Sequence, residues 1–149
     1  MRITGMILCS VFSLFAVGVR AEDTPEVAKD RKKFQGTWTF ESVEAGGKKL
    51  PPDLFKDMTV TFEGDHYSVK MGSKVVEAAT QKLDPSRSPR TLDATVTEGP
   101  NKGSVILGIY EIDGDTLKVC FDPEGKKRPT AFTSNPSPQL LVVHKRMKR

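Results

Sequence analysis

Cysteine and histidine are scarce in this sequence: its 149 residues carry two of each, with a single tryptophan. Cys9 lies inside an apolar N-terminal run and Cys120 between Val119 and Phe121, so no C-x-x-C pair exists. His66 and His144 stand at no metal-ligand spacing with a cysteine, with each other or with a carboxylate, which leaves no zinc signature. A G-x-S-x-G elbow, a phosphate-cradling glycine loop and a dinucleotide fingerprint are also missing. The expectation is a protein that is not an enzyme and holds neither a metal nor a cofactor.

Charge of one sign is lacking too. The 23 basic and 19 acidic residues leave +4, and two of the basic residues, Arg2 and Arg20, belong to the N-terminal segment. The rest of the chain is close to neutral. The run His144-Lys145-Arg146-Met147-Lys148-Arg149 reads as a solvated basic end, and nothing else points to nucleic acid.

There is one long hydrophobic run, residues 3 to 19, preceded by Arg2 and followed by Val19-Arg20-Ala21. It is shorter than the ~20 residues of a spanning helix and contains Gly5 and Gly18. Small residues stand where signal peptidase requires them. Residues 1 to 21 therefore read as a cleavable signal peptide and residues 22 to 149 as the mature domain, exported to the periplasm or the extracellular space without a membrane span. An uncleaved anchor is the alternative. After cleavage Cys120 has no partner, so a monomer of this size rests on its core without a disulfide.

The first element is a short helix: Thr24 suits the N-cap, Pro25 the first helical position, and acidic Glu26 leads while Arg31, Lys32 and Lys33 trail. Beyond Phe34 the period becomes two. Trp38 and Phe40 alternate with threonines, Met58, Val60 and Phe62 with Thr59 and Thr61, and Tyr67, Val69 and Met71 with Ser68 and Lys70. A weaker strand, residues 74 to 83, is diluted by Glu77 and Gln81, and Leu92, Ala94 and Val96 mark the next. Residues 105 to 112 are apolar almost throughout, and Asp113-Gly114 joins them to Leu117, Val119 and Phe121 as a hairpin. Residues 130 to 132 suit a strand fragment, and residues 140 to 146 the last strand. Eight strands on short connections must be antiparallel and can cover one apolar face by closing into a barrel. A two-sheet Greek-key sandwich satisfies the same count.

Phe34-Gln35-Gly36-Thr37-Trp38, Gly46-Gly47-Lys48, the segment Leu107-Gly108-Ile109-Tyr110-Glu111-Ile112-Asp113-Gly114-Asp115-Thr116-Leu117-Lys118-Val119-Cys120-Phe121, and Arg128-Pro129-Thr130-Ala131-Phe132 together resemble an uncharacterised lipocalin-like domain family expanded in planctomycete bacteria. The resemblance covers residues 30 to 146. It implies an all-β, eight-stranded antiparallel up-and-down lipocalin-like barrel with a short N-terminal helix, and no established reaction or ligand. It also implies that Gly36, Trp38 and Arg146 close one end, with the guanidinium over the indole.

The expected ligand site lies inside the barrel, walled by Phe40, Phe62, Tyr67, Leu107, Ile109 and Phe121, with Tyr67 as the polar handle. The inward set is otherwise almost free of polar anchors, which points to a small or nearly closed cavity. His66 and His144 are expected on strand surfaces or at the rim, and Cys120 as an inert thiol. Two functions follow: binding of a small apolar or amphipathic ligand, or an envelope-associated module that engages a protein partner through residues 84 to 89 and 122 to 129.

Overall fold

In the computed structural model, which describes residues 23–148, the chain begins with α1 (Pro25–Phe34). The expected signal peptide lies outside the described residues. Thr24 caps α1 by accepting the Val27 N–H at 3.3 Å, and the helix buries only Asp30 and Phe34. The helix contributes one aromatic ring and one carboxylate to the domain.

Eight strands form a closed sheet: β1 (Gly36–Ala45), β3 (Met58–Glu63), β4 (His66–Met71), β5 (Lys74–Asp84), β6 (Arg90–Glu98), β7 (Val105–Asp113), β8 (Thr116–Asp122) and β9 (Leu140–Arg146). Each pairs antiparallel with the next, and β1 pairs with β9 through Trp38↔Arg146 and Phe40↔His144. That last pairing makes a barrel and excludes the sandwich. The two-residue β2 (Lys48–Lys49) extends the hairpin from β1, and Pro52–Leu54 form a single 3-10 turn. Residues 130 to 132 form bends, not the expected strand fragment.

Bulges adjust which residues face inward. Between Phe40 and Ser42 the register of β1 against β9 shifts by one residue, so the inward sequence runs Trp38, Phe40, Val43. A second shift, between Val69 and Lys70 on β4, sets Val76 opposite no partner on the neighbouring strand.

One end is closed. Phe34, Trp38, Val60, Phe62, Leu83, Leu92, Tyr110, Ile112 and Leu117 form one buried cluster there. The Phe34 ring meets Phe62 and Tyr110 edge-on at 5.0 and 5.1 Å. Trp38 Nε1 donates to Phe34 O at 2.7 Å, and the Arg146 guanidinium covers the indole at 4.2 Å. Such a contact stabilises by about 0.5 to 2 kcal/mol. Arg146 also donates to Lys33 O, Gln35 O and Asp115, which joins helix, first strand, last strand and β7–β8 turn. Gly36 holds φ +109°, and a Cβ there would lie 3.5 Å from Arg146 Nη1. The turn into β1 therefore needs glycine. His144 to Arg146 belong to β9, so the basic run expected as a solvated end is partly a structural strand.

A second layer covers the outside of β7 and β8. The Asp122 carboxylate accepts N–H bonds from Glu124, Lys126 and Lys127 at 2.8 to 3.0 Å, which turns the chain back over the sheet. Burial raises its pKa, but those three amides outweigh it and hold the group below the usual carboxylate range. Arg128 donates to Leu92 O, Gly108 O and Asp93, and Ser134 Oγ accepts the Gly47 N–H. Cys120 Sγ lies 3.1 Å from Thr133 O.

Candidate functional site

Above the closed cluster the barrel holds a cavity of about 450 Å³. This is within the range of small-molecule pockets, about 300 to 1,000 Å³. Its walls are mostly apolar: Phe40, Val60, Phe62, Val69, Ala94, Ile106, Val119 and Phe121 reach it, while Leu50, Leu54, Phe55 and Leu140 stand toward the open end. The alternation of β3, β4, β6 and β8 explains most of this wall, because each strand turns every second side chain inward.

Four of the six expected ligand-site residues line the cavity: Phe40, Phe62, Tyr67 and Phe121. Leu107 and Ile109 do not. The inward residues of β7 are Ile106, Tyr110 and Ile112, which join the two buried clusters. Gly108 and Tyr110 pair with Phe121 and Val119, whereas Leu107 and Ile109 pair with Asp122 and Cys120 on the opposite face. Ile109 is still only 1% exposed, because residues 123 to 139 cover that outer face. Burial on both faces is why residues 105 to 112 are apolar without alternation, and that same uniformity hides the parity from the sequence.

The polar lining differs most from expectation. His144 is buried and lines the cavity, not a surface or rim, and its ring meets Phe40 edge-on at 4.5 Å. Burial lowers its pKa to about 4, so the ring is neutral near pH 7, although a hydrogen bond to the Thr39 backbone opposes the shift. Its Nδ1 has no hydrogen-bond partner among the described residues. Gln81 is also buried and lines the cavity. Tyr67 Oη and a Glu77 carboxylate oxygen lie 3.5 Å apart. Burial raises both pKa values, and the Glu77 charge adds to the rise at Tyr67. The two residues that dilute the apolar pattern of β5, Glu77 and Gln81, are thus cavity groups. The cavity is larger and better supplied with hydrogen-bonding groups than the sequence led us to expect.

A signal for His144 was present in the sequence. If Arg146 covers Trp38 from the last strand, residues 144 and 142 share its face, so His144 must turn inward.

Other groups have structural roles. Asp30 accepts from Tyr110 Oη at 2.8 Å and Arg90 at 3.1 Å, and burial followed by that hydrogen bond raises the Tyr110 pKa. Cys120 is buried, and desolvation raises its pKa, which makes the thiol a poor nucleophile. Among the described residues no cluster of His, Cys, Asp and Glu is arranged to hold a metal, and no helix is long and apolar enough to cross a membrane. In comparisons with known proteins, no family model, curated protein or solved structure matches this chain.

Proposed function

We propose that this chain is an exported lipocalin-like domain that holds one small apolar or amphipathic molecule inside its barrel. The observation that carries this reading is the cavity of about 450 Å³ with an apolar wall and a few convergent polar groups. Packing a domain of this size leaves few voids larger than a water molecule, and an apolar void forfeits dispersion contacts that a ligand restores. Binding would draw on apolar burial at about 25 cal/mol per Å².

The test uses N-phenyl-1-naphthylamine, a neutral probe that brightens on leaving water. It is expected to bind at micromolar concentration, and Ala94→Leu, which places a larger side chain in the cavity, should weaken it at least tenfold. If the folded wild type does not bind the probe, the carrier reading fails, and the loops at residues 84 to 89 and 122 to 129 become the surfaces to examine for a protein partner. Export has its own test. N-terminal sequencing of material recovered outside the cytoplasm is expected to begin at Glu22, and Met1 in that material overturns the signal assignment.

A further inference from the structure

Charge is distributed unevenly about the cavity. None of the residues lining it is lysine or arginine, and Glu77 is the one carboxylate. Arg146 lies behind Trp38, with its guanidinium occupied by Asp115, two backbone carbonyls and the indole face. Arg128 is bound to Asp93 and two backbone carbonyls. An anion entering the barrel would lose its water and meet no cation, a large penalty. Fatty carboxylates are therefore poor ligands for this barrel, although its apolar walls suit their chains.

Two uncharged polar groups sit deep in the cavity. On β5, Gln81 is one inward position above Leu83 of the closed-end cluster. On β9, His144 is one inward position above Arg146, which covers Trp38. The order of the sheet sets β5 and β9 four strands apart in a barrel of eight, so the two side chains face each other from opposite walls. Both are only 6% exposed. A neutral imidazole has one N–H and one lone pair; the Thr39 backbone takes one ring nitrogen, and Nδ1 has no partner among the described residues. The Gln81 carboxamide makes no side-chain hydrogen bond among the described residues. Buried polar groups are normally satisfied, so His144 Nδ1 needs a partner from elsewhere, and the Gln81 carboxamide lines the same cavity.

Resting on the carrier reading, we infer that Gln81 and His144 form a head-group site at the floor of the cavity for an uncharged amphiphile that enters head first. The head both donates and accepts hydrogen bonds, as a hydroxyl does: its O–H goes to the imidazole lone pair, and its oxygen accepts from the carboxamide NH2 of Gln81. The chain then lies along Phe40, Val119 and Phe121 toward the open end. At about 30 Å³ per water-sized group, 450 Å³ holds roughly fifteen such groups, enough for a single chain of medium length.

The experiment is displacement of N-phenyl-1-naphthylamine by 1-decanol and by decanoate at pH 7.5, in the wild type and in Gln81→Leu, Gln81→Lys and Asn101→Leu. Decanol should displace the probe at least tenfold more tightly than decanoate. Gln81→Leu should reduce that preference to below threefold, and Gln81→Lys, which supplies a cation at the floor, should invert it. Asn101 lines the exposed open end, so its variant should keep the wild-type preference. Should Gln81→Lys fail to fold, Gln81→Leu and Asn101→Leu still decide. Equal binding of the two ligands, tighter decanoate binding, or loss of the preference in Asn101→Leu but not Gln81→Leu overturns the head-group site while leaving the cavity a binding site. Failure of the probe and both ligands to bind overturns the carrier reading as well.

Discussion

At the closed end of the barrel every large group has a partner. Trp38 is wholly buried, its N–H is used by Phe34 O, its face is covered by Arg146, and Phe34 fills the space beside it. One inward position higher the same strands surround a cavity of about 450 Å³, with Gln81 and His144 at its floor and His144 Nδ1 without a partner among the described residues. The difference is one of side-chain volume and chain connection. Helix α1, the β1 turn and β9 converge below, whereas the small side chain of Ala94 leaves space above. One end is tightly packed and the other leaves an open cavity.

The contrast is most directly broken by emptying the packed end. Trp38→Ala is expected to cost about 3 to 5 kcal/mol, as for other large core truncations, and to lower the urea midpoint accordingly; a loss under about 1 kcal/mol would mean that the closed end does not carry the fold. A smaller effect comes from pH. His144 has a pKa of about 4 in the folded protein, below its ordinary 6.5. The unfolded chain therefore takes up this proton first as pH falls, so the contribution to stability is full above pH 6.5 and is lost between 6.5 and 4. The loss is about 3 kcal/mol at most. Glu77 opposes it, because burial raises its pKa and favours the protonated folded form as pH falls. The measurement is therefore the difference in urea midpoint between wild type and His144→Leu across that range, and parallel curves would place the imidazole in water. The smallest effect is expected from filling the cavity. Ala94→Leu should change stability by less than about 1 kcal/mol, because the added methyl groups occupy space that is already empty. A cost of several kcal/mol would show that the open end is packed as tightly as the closed one.

Much of the barrel was legible in the sequence because its strands are amphipathic. Met58, Val60 and Phe62, or Leu117, Val119 and Phe121, leave one face apolar and one polar, which specifies both strand and parity. Where both faces are buried the pattern loses that information, so Leu107 and Ile109 were assigned inward although β7 turns Ile106 and Tyr110 to the core. Polar residues on the inner face mislead in the opposite direction. Glu77 and Gln81 read as a weak strand, and His144 as a rim residue, because a pattern argument treats inward polar groups as errors rather than as contents of a cavity.

The sequence by itself determined most of the secondary elements and the antiparallel order that short connections impose. Both rest on interactions local in the chain or on a two-residue period, whereas the basic residue over Trp38 was expected only from the family resemblance. Tertiary structure alone decided three things: closure of β1 on β9, burial of the outer face of β7 under residues 123 to 139, and the space left between Gln81 and His144. Each brings together residues far apart in sequence, and a void depends on the summed volumes of side chains from opposite walls, a quantity that no single strand carries.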